Sequence, residues 1–117
     1  MEIWHNPRCT KSRTARDALA GAGFTVQERR YLDQPPTVAE LEDVLARLGL
    51  EPWDITRMAE PAAKELDLRN LVRDRTKWIE VLAANPALIQ RPIVVTDGGR
   101  AFVVRDEESL ETVLQRP

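Results

Sequence analysis

The run Pro92-Ile93-Val94-Val95-Thr96 is almost continuously apolar and β-branched, as a buried strand is. Asp97-Gly98-Gly99 supplies a tight-turn sequence, and Ala101-Phe102-Val103-Val104 resumes the β pattern, so this stretch reads as a β-hairpin. A strand of this composition must be covered by the rest of the chain.

The N-terminal part offers partners. Glu2-Ile3-Trp4 is a short candidate strand stopped by His5-Asn6-Pro7, after which Ala15, Ala18, Leu19 and Ala22 recur at helical spacing up to Gly21 and Gly23. A second strand is expected over residues 24–31, where Phe24 and Val26 alternate with polar neighbours before Gln27-Glu28-Arg29-Arg30. Pro35-Pro36 then breaks the chain, and Thr37 with Glu40 forms a capping box ahead of Leu41, Val44, Leu45 and Leu48, closed by Gly49. Residues 51–89 keep a broken helical pattern: Pro52 and Pro61 suit first turns, Trp78, Ile79 and Leu82 mark a longer helix, and Asn85-Pro86 stops it. After the hairpin, acids at Asp106, Glu107 and Glu108 precede Leu110, Val113 and Leu114 in a final helix. Trp4, Trp53 and Trp78 fall among apolar positions and are expected in the core.

The order is therefore β-α-β, a helical block, then β-β-α. It predicts an α/β chain with a mixed sheet and the skeleton of a thioredoxin-like fold, one domain over residues 1–117 with a helical subregion at about 37–90. Residues 1–9 have neither the length nor the apolar run of a signal peptide, and no stretch nears the roughly 18 apolar residues of a membrane span, so a cytoplasmic protein is expected. A formal charge of −2 gives no global electrostatic reason to expect nucleic acid or anionic membrane as a partner.

Fourteen of the seventeen basic residues are Arg, whose rigid fork suits oxyanions, although usage bias accounts equally for most surface arginines. One cysteine excludes an internal disulfide, and one cysteine with one histidine cannot supply a usual four-ligand structural zinc site, so no bound metal is expected. Cys9 follows Pro7-Arg8 and precedes Thr10-Lys11-Ser12-Arg13 at an expected helix start, where free N–H groups and nearby cations favour an anion. Such surroundings lower a thiol from about 8.5 into the range of about 3.5–7.5 and make it nucleophilic. Ser12 stands where a resolving cysteine would be, so an attacking thiol must come from outside the chain. A protonated His5 would favour the thiolate further, or His5 orders the loop; Asn6 either donates to an oxyanion or fixes the turn. Ser12 and Arg13 share one helix face with Cys9 and can line an anion site, or Ser12 caps the first turn and Arg13 pairs with Asp17.

His5-Asn6-Pro7-Arg8-Cys9-Thr10-Lys11-Ser12-Arg13 resembles the active-site motif of the thioredoxin-like, glutaredoxin-dependent arsenate reductase family. Leu88-Ile89-Gln90-Arg91-Pro92-Ile93-Val94-Val95 resembles the start of that family's strand with a cis-proline, here Pro92. Tyr31-Leu32 before Pro35-Pro36, and Lys64-Glu65-Leu66, match weaker landmarks. The resemblance implies reduction of arsenate to arsenite through a Cys9 adduct, with no bound cofactor, an external thiol such as glutathione, and a glutaredoxin-type recycling protein. It further implies three oxyanion-binding arginines, Arg57, Arg91 and Arg105. The hairpin is one residue longer than the family's spacing and Asp106 stands where proline is common, so Arg100 competes with Arg105. Two other functions stay open: general thiol-disulfide exchange, and an Spx-like regulator that binds RNA polymerase, a class that often carries a second cysteine where this chain has Ser12.

Overall fold

The computed structural model describes all 117 residues. In chain order the elements are β1 (Glu2–Trp4), α1 (Thr10–Gly21), β2 (Gln27–Arg29), α2 (Val38–Leu48), α3 (Pro61–Glu65), α4 (Arg75–Ala84), β3 (Ile93–Val95), β4 (Ala101–Val103) and α5 (Glu107–Gln115), with short 3-10 turns between some of them. No helix is long and apolar enough to cross a membrane. The chain forms two compact units, one of Met1–Gln34 with Arg91–Pro117 and the other of Pro35–Gln90.

The first unit holds a four-stranded mixed sheet in the order β2-β1-β3-β4. β1 runs parallel to β2 and antiparallel to β3, with Trp4 opposite Ile93, and β3 and β4 form the hairpin, with Ile93 opposite Val103. Ile3 and Val94 on the sheet meet Ala15 and Leu19 of α1 and Val113 of α5 in a buried cluster, to which Val104 also belongs. Each Ile, Val or Leu buried there contributes about 1.5–3 kcal/mol relative to exposure. The hairpin turn uses Gly99 at φ 83°, a conformation open to glycine without strain.

β2 is shorter than the expected 24–31 because its partner β1 offers only three residues. Gln27 N–H donates to the Met1 carbonyl and His5 N–H to the Arg29 carbonyl, at 2.8 and 2.7 Å. These two bonds bracket the pairing. Phe24 and Val26 lie outside it and pack on the cluster, while amides of Asp33 and Gln34 turn back onto the Arg30 carbonyl.

The second unit is helical. Thr37 and Glu40 form the capping box of α2, and Gly49 ends the helix at φ 69°. Leu41, Val44 and Leu45 of α2 and Trp78, Ile79 and Leu82 of α4 are buried. Asp74 caps α4 by accepting from Lys77 N–H. Trp78 Nε1–H donates to Thr56 Oγ1 at 2.8 Å, and that hydroxyl donates in turn to the Pro52 carbonyl, so the buried indole N–H and the buried hydroxyl are both paired. Trp4 and Trp78 are buried core residues, whereas Trp53 is half-buried, edge-on to Trp78 with Arg73 over its ring.

Candidate active site

After β1 the chain turns at Asn6 and Pro7. Cys9 N–H donates to the Asn6 carbonyl and Arg8 N–H to Asn6 Oδ1, both at 3.0 Å. Asn6 therefore fixes the turn. Cys9 is extended, at φ −94° and ψ 123°, and is the N-cap of α1; its carbonyl accepts the first helical bond from Arg13 N–H. No acidic residue occupies the first turn of α1, so nothing negative there opposes a thiolate.

Burial pushes the half-buried Cys9 thiol up, but the Arg91 guanidinium and the amides of Ser12 and Lys11 act against it, and the net shift is down. Cys9 occupies the N-cap position without a side-chain cap hydrogen bond, unlike a capping Ser or Asp. Burial likewise opposes the Arg91 charge, but the Cys9 thiolate and Tyr31 beside it leave its pKa raised. Arg91 Nε is buried and has no hydrogen-bond partner among the protein's own groups, so the guanidinium retains a donor. Arg91 precedes Pro92 through a cis peptide bond, and the Pro92 carbonyl accepts from Val104 N–H, which ties the start of β3 to the end of the hairpin.

His5 is fully buried, and desolvation outweighs the attraction of Glu28, so its pKa is lowered. The lowered pKa works against a protonated His5 that would aid the thiolate by charge, and the contacts of the ring order the loop. Its Nδ1 lies 2.7 Å from Ser12 Oγ, which also accepts from Asn6 N–H at 3.1 Å. Ser12 therefore does not cap the first turn with its side chain. Its hydroxyl locks the loop, and its amide is among the groups that lower the Cys9 pKa. Arg13 departs from the expected pairing with Asp17: its guanidinium donates to the Pro7 carbonyl at 2.8 Å and to Thr10 Oγ1 at 3.3 Å, bracing the turn. Arg16 takes Asp17 instead.

The sheet register separates the two competing hairpin arginines. Cys9 follows the end of β1, Arg91 precedes the start of β3 and Arg105 follows the end of β4, and all three of these termini share one edge. Arg105 lines a cavity of about 230 Å³ with Thr10, Lys11 and Asp106. Arg100 lies at the opposite end, 5.1 Å from the Phe102 ring centroid and donating to the Arg116 carbonyl. Arg57 belongs to the helical unit, where its guanidinium is paired with Glu60. Tyr31, given no site role by sequence reasoning, is a buried neighbour of Arg91. Its signal was the match of Tyr31-Leu32 before Pro35-Pro36 to a weaker landmark of the family.

The model of the ArsC family matches residues 4–113. A Streptomyces viridochromogenes protein described as an uncharacterized protein in the glnII region is 49% identical over 99% of this chain and 100% of the relative. An arsenate reductase of Neisseria meningitidis is 40% identical over 97% of each chain. The solved arsenate reductase of Vibrio cholerae superposes with a TM-score of 0.85 at 36% identity, over 98% of this chain and 97% of that one.

Proposed function

The chain belongs to the ArsC family, and on that premise we propose that it is a cysteine-dependent reductase converting arsenate to arsenite, with Cys9 as nucleophile. The observation that carries this reading is Cys9 at the start of α1, with no acid in the first turn and with Arg91 acting to lower its thiol pKa. That arrangement favours thiolate and aims donors at the place where an attacked oxyanion gathers charge.

The thiolate attacks arsenic(V), forming a sulfur–arsenic bond as water leaves. An external thiol, glutathione or an equivalent, then attacks Cys9 Sγ. The sulfur–arsenic bond breaks with its electron pair on arsenic, which departs as arsenite, and Cys9 is left in a mixed disulfide. A second thiol, that of a glutaredoxin-type protein, attacks this disulfide and returns Cys9 to thiolate, so two thiols lose the two electrons that arsenic gains. With no second cysteine in the chain, both resolving sulfurs come from outside. A cytoplasmic location belongs to the same proposal.

Arg91 and Arg105 are proposed to hold the oxyanion; the family resemblance also implies Arg57, which matches by its spacing after Leu48-Gly49 and before Lys64-Glu65-Leu66. Arsenite formation from arsenate with glutathione and glutaredoxin tests the proposal. Cys9→Ser should abolish it and Arg91→Ala should lower kcat/KM roughly 10- to 100-fold, the worth of one charge-assisted contact. The pairing of Arg57 with Glu60 favours a second reading, general thiol-disulfide exchange, which needs no third arginine. Exchange with a model disulfide but no arsenite would establish that reading instead.

A further inference from the structure

His5 makes two kinds of contact, one on each ring nitrogen. Nδ1 meets Ser12 Oγ at 2.7 Å, while Nε2 lies 3.3 Å from Glu28 Oε1 and 3.4 Å from Arg16 Nη1. Glu28 can only accept and Arg16 can only donate, so the two ask for opposite tautomers. Arg16 Nη1 already donates to the same Glu28 oxygen, at 3.2 Å.

Ser12 decides between them. Its buried hydroxyl accepts from Asn6 N–H and has one proton to give. With the ring proton on Nε2, Ser12 donates to Nδ1 and Nε2–H donates to Glu28, and every member of the chain is satisfied. With the proton on Nδ1, Ser12 Oγ receives two donors and its own proton loses the imidazole as acceptor, a costly outcome in a buried site.

We propose that Glu28 is a positioning residue for the nucleophile, acting at a distance by fixing His5 as the Nε2–H tautomer and so holding the Ser12 hydroxyl between His5 and the N–H of Asn6, the residue whose carbonyl accepts from Cys9 N–H. Glu28 sits on β2 opposite Ile3, one strand away from the Cys9 loop, and touches neither the sulfur nor Arg91. It does not depend on which substrate Cys9 attacks. The charged groups that face His5 are Glu28 of β2, Arg16 and Asp17 of α1, and Arg30 just beyond β2.

The chain has one histidine and one cysteine, so imidazole nitrogen NMR resonances read the tautomer directly and the pH profile of iodoacetamide alkylation reads Cys9 alone. The wild-type chain should show the Nε2–H tautomer at neutral pH. Glu28→Ala removes the acceptor and leaves Arg16 to donate to Nε2. The tautomer should turn to Nδ1–H and the alkylation midpoint should rise by roughly half to one pH unit, the worth of one hydrogen bond. Glu28→Gln keeps a carbonyl oxygen that accepts from Nε2–H, so it should retain both readings near the wild-type values. Arg16→Ala removes only the competing donor and should keep the Nε2–H form. In a Ser12→Ala background, Glu28→Ala should leave the midpoint where Ser12→Ala alone puts it. The Glu28 carboxylate is 38% exposed, so its replacement should leave the fold intact. A wild-type chain in the Nδ1–H form overturns the proposal without any variant. So does a Glu28→Ala chain with unchanged tautomer and midpoint, or one whose midpoint moves equally with and without Ser12.

Discussion

Arg91→Ala removes the one side chain that meets the Cys9 thiolate with both charge and a hydrogen bond. A hydrogen bond to a charged group is worth about 1.5–3 kcal/mol, and one pKa unit corresponds to about 1.36 kcal/mol, so its loss would raise the thiol by roughly one to two units. Burial acts the other way. It is the largest single influence on Cys9 and pushes the thiol up, and truncating Arg91 admits water that relieves part of this penalty. The rise should therefore lie near the lower end, about one unit, with the amides of Ser12 and Lys11 still acting to lower the thiol pKa. Alkylation rate against pH measures this on the single cysteine. Arg91→Lys should recover part of the shift, since it restores charge but not the fork. An unchanged midpoint in Arg91→Ala would refute the pairing of guanidinium with thiolate on which the nucleophile assignment rests.

Arg105→Ala should lower kcat/KM for arsenate by roughly tenfold or more. Arg100→Ala should leave it near wild type and cost at most about 0.5–1 kcal/mol of stability through Phe102, so equal losses in the two variants would contradict the placement read from the sheet register. Folding lowers the His5 pKa, so the unfolded chain binds the extra proton first, and stability present above the unfolded value of about 6.5 should fall as acid carries the pH through the lower folded value. Chemical denaturation between pH 7 and 5 checks this, and a His5→Asn variant that loses stability equally over that range would refute it. Thr37→Ala removes the capping oxygen of α2 and should cost about 1 kcal/mol in denaturant melts, whereas Arg47→Ala breaks an exposed pair with Asp43 and should cost about 0.5 kcal/mol or less.

Features set by local chemistry were legible in the sequence. Thr37, Glu40 and Gly49 mark both ends of α2, and the β-branched run before Asp97-Gly98-Gly99 marks the hairpin, because caps and turns depend on neighbours in the chain. The length of β2 was not legible, since it is set by β1 rather than by its own alternation. Which hairpin arginine shares the sheet edge of Cys9 needed the antiparallel register of β3 with β1 and β4, which hydrophobic pattern does not encode. Cys9 stood out through the cations around it. The lowered pKa of His5 did not, because it follows from complete burial, which outweighs the opposing pull of Glu28 on another strand. Arg13 shows the same limit: spacing offered Asp17, but the Pro7 carbonyl lay nearer once the loop had folded.

Intact-protein mass measured through one turnover tests Cys9 chemistry most directly. The chain is mixed with arsenate, then with glutathione in the absence of any glutaredoxin, and arsenite is quantified in the same sample. Cys9 as the nucleophile predicts one mixed disulfide per chain, formed only when arsenate is present, in step with one arsenite released, and neither product in Cys9→Ser. Arsenite released without modification of Cys9, or a mixed disulfide that forms equally without arsenate, would contradict it.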